Sequence, residues 1–172
     1  LLLHFDPDRR EKTLKPTLRN DGSVDHYELG YVQNVIMDQV IAEIVEVDKN
    51  EAAGIDSRFI LKEKTLPAGP HTRVNPDSPD QLLAAANGYP CWENGQVRVR
   101  KVLTVPSDVS FRTGNILFVG DLLIEKSIFT GFKVQARNIL VKGHIGGAEV
   151  TAQESIASES GVKGERQAVI NA

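Results

Sequence analysis

A short repeat fills the chain from Gly114 to its last residue, and one copy occupies about 17 positions. The three copies read GNILFVGDLLIEKSIFT, GFKVQARNILVKGHIGG and AEVTAQESIASESGVKG. Two sets of apolar residues recur at intervals of 17 and 17 positions: Leu122, Ile139 and Ile156, and Ile128, Ile145 and Val162. Because so short a unit cannot close a core by itself, successive copies must stack, which predicts a solenoid.

The length of the repeat favours one kind of solenoid over another. Coils of about 17 residues suit a right-handed parallel β-helix with three short strands per coil and glycines at the corners. The rival is a left-handed hexapeptide helix. Its register places these residues inside: Ile116, Leu122, Ile128, Val134 and Leu140. The same register then requires Gly146, Ala152, Ser158 and Gly164 inside, so it decays while the 17-residue register persists. We therefore predict a right-handed β-helix with inward-facing Leu122, Ile139 and Ile156.

The remainder of the chain predicts a mostly β protein with three parts. Residues 1–20 are charged and interrupted by prolines, which indicates an extended lead-in. Residues 21–105 predict a β-rich N-terminal domain. Pro106-Ser107-Asp108 is the predicted hinge into the β-helix of residues 106–172, a partial solenoid that is expected to continue beyond the chain.

Within the N-terminal domain, the density of β-branched residues indicates strands. An Asp21-Gly22 turn precedes a strand in which Ile41, Ile44, Val45 and Val47 supply a buried face, with a helix over 37–54 as the alternative. A polar turn over 48–54 and a short strand over 58–61 follow. The prolines of residues 67–79 predict a loop.

Two Asn-Gly steps predict β-hairpins before the solenoid. Residues 78–88 have the punctuation of a helix, but they also suit a strand that enters the Asn87-Gly88 turn. The second step, Asn94-Gly95, leads into QVRVRKVLTV, where Val97, Val99 and Val102 are predicted to share one face. A meander of hairpins is the more economical interpretation.

Composition excludes several functional classes. The net charge of −3 provides no basic face for nucleic acid or for an anionic membrane. A single cysteine excludes an internal disulfide and a multi-cysteine zinc site. No apolar run approaches the length of a membrane span. Because the chain begins without methionine, we interpret it as a piece of a longer protein, and the cysteine content fits the cytoplasm.

Three stretches resemble the flagellar assembly protein A family. DGSVDHYEL at 21–29 is similar to its Asp-Gly-x-Val-Asp-aromatic motif, and QVIAEIVEVDKNEAAGID at 39–56 is similar to its strand followed by a Gly-x-Asp turn. The segment 113–156 resembles the Thr-Gly-Asn-Ile-x-Phe-x-Gly-Asp opening of its β-helix. The chain departs from the family at Asp38, where glycine is usual, and at residues 136–139, which are one residue short.

The resemblance implies a cytoplasmic, non-enzymatic scaffold linked to bacterial flagellar assembly. Its implied partners are proteins, including further copies of itself, with no nucleic acid, no membrane insertion and no cofactor. Which protein it binds, and through which domain, stays open at the sequence level.

No catalytic, cofactor-binding or metal-ligating residue is predicted. His4, His26 and His71 are scattered, and His144 alone suggests an enzyme, since hexapeptide acyltransferases use one solenoid histidine as a general base. A corner or surface histidine is the simpler interpretation. Cys91 is expected to be a buried small hydrophobe.

Lys49 supports a third functional alternative, a lipoyl-like carrier domain. AEIVEVDKN resembles the strand and Asp-Lys turn at which such domains attach their cofactor, but the spacing from Ala42 to Asp48 is one residue too long. A solvated turn lysine is the simpler interpretation. The acidic stretches 6–8 and 75–80 could suggest calcium, yet turn formation explains both.

Overall fold

The structure, a computed structural model, is mostly β and describes residues 1–9, 14, 17–18, 24–25, 27–163 and 168–172. Its strands are β1 Leu2–Leu3, β2 Thr17–Leu18, β3 Val24–Asp25, β4 Val40–Glu43, β5 Thr72–Val74, β6 Gln81–Ala84, β7 Tyr89–Glu93, β8 Gln96–Arg100, β9 Val102–Val105, β10 Ile116–Leu117, β11 Asp121–Ile124, β12 Lys133–Val141, β13 Glu149–Ser158 and β14 Val169–Asn171. A one-turn α-helix, α1, spans Lys49–Ala52, and a 3₁₀ turn spans Ser57–Phe59. The predicted Asp21-Gly22 turn lies outside the described residues.

The chain divides into two compact units. The first consists of residues 1–7 and 34–100, and the second consists of residues 8–33 and 101–172. We expected a boundary at 105, but β9 already pairs in parallel with β11 of the solenoid. The second unit also includes a segment from the expected lead-in and N-terminal domain.

The first unit is built on a four-stranded antiparallel sheet in the order β1-β4-β6-β5. Its core contains these buried residues: Phe5, Val35, Ile41, Ala42, Leu66, Leu82, Ala84, Val97 and Val99. Residues 1–5 are therefore part of the folded unit and do not form an extended lead-in. Burying the apolar face of the sheet supplies the main stabilisation of this unit.

Strand β4 is shorter than predicted. Ile41 is buried as expected, but Val45 and Val47 are 44% and 45% exposed. The last backbone hydrogen bond on the β6 side joins the Ile44 amide to the Asp80 carbonyl, and α1 begins at Lys49. The alternative of a helix over 37–54 is wrong except for the single turn at its end.

Two capped turns replace elements that were predicted differently. Asp48 forms a capping box with Glu51 and begins α1 within the predicted polar turn. The expected strand over 58–61 is instead a 3₁₀ turn, because the Asp56 carboxylate accepts the Arg58 amide hydrogen. The expected loop over 67–79 contains β5, which pairs with β6 in spite of the flanking prolines.

The second Asn-Gly step forms the predicted hairpin. Strands β7 and β8 pair antiparallel, and Asn94 and Gly95 connect them with φ angles of 53° and 74°. Positive φ at both positions is the requirement of a type I′ turn, which Asn-Gly meets at little cost. This prediction is confirmed.

The first Asn-Gly step is not a hairpin turn. Gly88 forms a bridge with Val35, and the Asn87 side chain accepts the Met37 amide hydrogen. Strand β6 precedes the step as predicted, which excludes the helical alternative over 78–88, but its partners are β4 and β5. The prediction of a meander of two successive hairpins is therefore wrong, because the backbone of β6 pairs with β4 and β5 and not with the strand that follows it.

The second unit contains a β-solenoid of about four turns with parallel pairing between coils. Three inward ladders run along it: Leu103, Leu122, Ile139 and Ile156; Val109, Ile128, Ile145 and Val162; and Ile116, Val134, Val150 and Ile170. Both ladders predicted from the 17-residue spacing are confirmed. Each gains one residue from a first coil that the repeat did not reveal.

Burial distinguishes the two solenoid registers. Ile139 is 2% exposed, whereas its neighbour Leu140 is 38% exposed and faces outward. The hexapeptide register requires Leu140 inside, so it fails at this position. Val102 is also 50% exposed, which contradicts the predicted face shared with Val97 and Val99, because β9 begins a new coil after Lys101.

The two departures from the family pattern have local structural consequences. Asp38 adopts a φ of 71°, a left-handed conformation that glycine adopts without steric cost. The pairing of β12 with β13 shifts register between Ala136 and Asn138. The short step at 136–139 thus coincides with a bulge-like irregularity in the pairing of these two strands.

Candidate interaction surface

A short segment, Tyr27–Gly30, lies against the first solenoid coil, and we refer to it as the strap. The Asn115 amide donates to the Tyr27 carbonyl at 2.6 Å, and the Asn115 side chain donates to Glu28 Oε1 at 2.7 Å. Leu29 is only 4% exposed. The strap therefore adds backbone pairing, a side-chain hydrogen bond and apolar burial to the solenoid.

Gly114 is the residue that permits this close approach. Its φ is +68°, and a Cβ atom there would collide with the Tyr27 carbonyl oxygen and lie 2.9 Å from Leu29 Cγ. The next residue, Asn115, also accepts the Lys133 amide hydrogen at 2.9 Å and so connects the strap to the second coil. Glycine at 114 is required by both conformation and space.

Three aromatic rings, one of them from the strap residue Tyr27, form a cluster. The rings of Tyr27, Phe111 and Phe132 have pairwise centroid distances of 5.1 to 5.3 Å with tilted or edge-on geometry. Phe132 is 2% exposed, whereas Phe111 is 63% exposed. Such pairs contribute about 0.5–1.5 kcal/mol each beyond area burial.

Arg9 fixes the end of the strap. Its guanidinium donates to the Leu29 carbonyl at 2.9 Å and to the Gly30 carbonyl at 2.6 Å and 3.0 Å. These are charge-assisted hydrogen bonds, which are stronger than neutral ones. Arg9 therefore connects the chain before the strap to the strap itself.

A polar ladder runs along one corner of the solenoid. Asp121 accepts two hydrogen bonds from Arg137, at 2.8 Å and 2.6 Å, and one from Asn138 at 2.9 Å. Asn138 in turn accepts from Ser155 at 2.6 Å and donates to Glu154 at 2.8 Å. The hydrogen bonds from Arg137 and Asn138 hold the pKa of Asp121 below its ordinary value of 3.8.

Replacing Asp121 by asparagine should lower the free energy of unfolding at pH 7 by roughly 1 kcal/mol, because it removes the paired charge at a partly exposed site. Because folding lowers the pKa of Asp121, this stabilisation is fully present above the ordinary pKa of 3.8. It is lost as the pH falls through the lower pKa of the folded protein. Urea unfolding of the wild-type protein and of Asp121→Asn between pH 7 and pH ~2 measures the difference in their free energies of unfolding. This difference should become smaller at the acidic end of the range.

Asp56→Asn is the matched control for this prediction. The pKa of Asp56 is also lowered, by its hydrogen bonds with Arg58, but the pair is local and exposed. Its replacement should change stability less than that of Asp121. A constant difference between wild type and Asp121→Asn at every pH would contradict the proposed charge effect.

The last coil differs from the first in its exposure. Inward positions of the first coil, Leu103 and Val109, are fully buried. The corresponding position in the fourth coil, Val162, is 49% exposed, and inward-facing Ile170 is 40% exposed. Apolar side chains that belong to the ladders are thus accessible at this end.

The comparison with known families matches the solenoid segment. Residues 101–172 match the family model of the Flagellar Assembly Protein A beta solenoid domain. This is the family that the sequence motifs resemble. No curated protein and no solved structure gives a significant match to the chain.

Parts of two motifs of the flagellar assembly protein A resemblance meet in the structure. The strap includes the end of the 21–29 motif, and the Thr113-Gly114-Asn115 segment that begins the 113–156 motif contacts it. Thr113 is 2% exposed. Its hydroxyl oxygen accepts the Ser110 amide hydrogen, and its hydroxyl donates to the Ser110 carbonyl. The first motif therefore has a structural role in the solenoid unit, although it precedes residue 101 by more than 70 positions.

His144 makes contacts that connect solenoid coils. Its amide donates to Ser127 Oγ at 3.0 Å, its carbonyl accepts the Ile128 amide, and its Nδ1 lies 2.8 Å from the Ser160 carbonyl. His144 therefore forms hydrogen bonds with the preceding coil, at Ser127 and Ile128, and with the segment that follows its own coil, at Ser160. These contacts fit the simpler interpretation, in which His144 is a corner histidine with a structural role.

Cys91 lies on β7, and Lys49 is the first residue of α1. Cys91 is half-buried, and burial raises the pKa of its thiol, which disfavours the reactive thiolate. Lys49 begins α1, and the preceding Val45–Val47 segment is not a strand. A carrier lysine at a turn between two paired strands is therefore not what the backbone forms.

The acidic stretches form turns and ion pairs. Asn75 accepts the Asp77 amide hydrogen, and Asp80 pairs with Lys64 at 3.1 Å. In the described part of the chain, no group of three or more His, Cys, Asp or Glu residues is arranged to hold a metal ion. Among the same residues, no helix is long and apolar enough to cross a membrane.

Proposed function

We propose that this protein is a non-enzymatic cytoplasmic scaffold that acts in bacterial flagellar assembly or its regulation and associates with further copies of itself through the solenoid. The flagellar assignment is supported by the match of residues 101–172 to the Flagellar Assembly Protein A beta solenoid domain. Scaffolding requires surfaces and no reacting group. The contacts of His144 and Cys91 fit structural roles.

The accessible apolar ladder positions of the fourth coil carry the proposal of self-association. Val162 and Ile170 face the axis of the solenoid but remain 49% and 40% exposed. A strand edge with accessible apolar side chains favours pairing with another chain. A second copy that stacks on this coil would continue the parallel ladders and bury these residues.

The mass of the protein in solution tests this proposal. The chain should form dimers or larger species at high concentration, measured by size-exclusion chromatography with light scattering. Val162→Lys combined with Ile170→Lys should shift the equilibrium to monomer, because stacking would then bury two unpaired charges. Val102→Lys is the matched control, since Val102 is 50% exposed but faces outward from the first coil.

Two results would contradict the proposal of self-association. One is a strict monomer at high concentration, and the other is equal loss of association in the double variant and in the Val102→Lys control. The flagellar role is tested separately, by counting flagella in cells that carry only the double variant or only the control. Fewer flagella with the double variant alone would link association to assembly.

A further inference from the structure

A groove of about 440 Å³ lies in the first unit and is lined by residues outside the matched segment 101–172. One wall is the segment Ile44–Val47, and the other is the segment Phe59–Lys64. The lining is mainly apolar and includes Leu1, Leu2, Ala52 and Ile55. A groove of this size falls within the range that binds ligands.

The wall at Val45–Val47 is an unpaired continuation of β4. Strand β1 pairs with β4 only as far as Glu43, and the last bond on the β6 side joins the Ile44 amide to Asp80. Within the described residues, the backbone of Val45, Glu46 and Val47 forms no hydrogen bond. Three consecutive peptide groups therefore remain available to another backbone.

Apolar side chains of this wall are exposed to the groove. Val45 and Val47, two positions apart, are 44% and 45% exposed and line the groove. On the opposite wall, Ile60 is 49% exposed. Residues two apart along an extended chain face the same side, so a paired segment would bring its own alternate side chains onto these apolar groups.

Charge narrows the class of ligand. Four ionisable side chains line the groove, Glu46, Lys62, Glu63 and Lys64, and their formal charges cancel. Lys64 is already paired with Asp80 at 3.1 Å and with Glu46 at 4.0 Å. A nucleotide or an anionic lipid would require a surplus of positive charge that this lining does not provide.

We propose that this groove binds an extended, uncharged apolar peptide segment of a partner protein, by backbone pairing with Val45–Val47. Strand addition of this kind obtains affinity from main-chain hydrogen bonds and specificity from alternate side chains. A lipid tail or detergent could fill the apolar volume, but it has no row of N–H and C=O groups to match the open backbone. This inference does not depend on the flagellar role or on self-association.

The probe for this site is a fluorescein-labelled, acetylated peptide of alternating valine and threonine. Fluorescence polarisation should detect binding, and hydrogen exchange at the Val45, Glu46 and Val47 amides should slow in its presence. A second peptide has the same side chains but carries N-methyl groups on alternate backbone amides. It should bind at least roughly tenfold more weakly, because methylation removes pairing donors and preserves apolar area.

Val45→Asp combined with Val47→Asp should also weaken the binding of the first peptide at least roughly tenfold, a difference of ~1.4 kcal/mol. The matched control is Val74→Asp, since Val74 is 46% exposed on β5 at the opposite edge of the same sheet. Thermal unfolding verifies that each variant is folded. Val45→Thr combined with Val47→Thr is the conservative version if the aspartates prevent folding, and it should weaken binding less.

Three results would overturn the proposal. The first is equal affinity for the plain and the N-methylated peptide, which would indicate apolar burial without backbone pairing. The second is unchanged exchange at Val45–Val47 with bound peptide. The third is binding of a fluorescent fatty acid, weakened by the Val45→Asp and Val47→Asp pair, with no detectable peptide binding, which would assign the groove to an amphiphile.

Discussion

Ile139→Asp should lower the free energy of unfolding of the solenoid unit by about 4 kcal/mol, a large fraction of the roughly 5–15 kcal/mol that stabilises an ordinary domain. Ile139 is 2% exposed and lies in the ladder between Leu122 and Ile156. An aspartate there would leave a charge buried without a partner and would also remove apolar contacts to two coils. Urea unfolding followed by circular dichroism measures the loss.

Leu140→Asp is the control that makes this result informative. Leu140 is the next residue, but it is 38% exposed on the outer face, so its replacement should cost less than about 1 kcal/mol. A hexapeptide register predicts the reverse order, since it places Leu140 inside and Ile139 outside. A larger loss for Leu140→Asp than for Ile139→Asp would therefore mean that the inward face is assigned incorrectly.

The solenoid could be predicted from sequence because its core repeats. Each inward position at 122, 139 and 156 reports the same environment, so the interval of 17 residues appears directly in the sequence. The first coil was hidden because Leu103 lies 19 positions before Leu122, outside that interval. The start of the solenoid was consequently predicted too late, while its right-handed winding stays a prediction.

Local patterns in the N-terminal unit were less reliable where long-range contacts decide. The run from Val40 to Val47 has β-branched residues at both ends, but only Val40–Glu43 finds strand partners. Propensity cannot distinguish a paired strand from an open extended segment. By contrast, the capping box of Asp48 and Glu51 was legible as a D-x-x-E pattern, and it could have predicted α1.

The strap could not be inferred from either motif alone. Asn115 and Glu28 are 87 positions apart, and no periodicity connects them. The available signal was Gly114, because a glycine before an apolar strand often marks a close backbone approach. In the structure, the residues that approach Gly114 closely are Tyr27 and Leu29.

Gly114→Ala should therefore release the strap and lower the free energy of unfolding by about 3 kcal/mol. Roughly 1–2 kcal/mol comes from the positive φ, and the remainder comes from lost burial of Leu29 and lost hydrogen bonds at Asn115. The Asn115 amide should also exchange faster with solvent, since its acceptor is the Tyr27 carbonyl. Urea unfolding and hydrogen exchange measure the two effects.

Gly131→Ala is the control that distinguishes the steric collision of an added Cβ atom from the cost of a positive φ. Gly131 also has a positive φ, +89°, but a Cβ atom there would meet only the Tyr27 hydroxyl oxygen, at 3.9 Å. Its replacement should cost only the conformational term, roughly 1–2 kcal/mol, and should leave exchange at Asn115 unchanged. Equal losses in the two variants, with the Asn115 amide still protected in Gly114→Ala, would show that the strap does not depend on glycine at 114. An excess loss confined to Gly114→Ala would instead identify this glycine as the point where the two family motifs are joined.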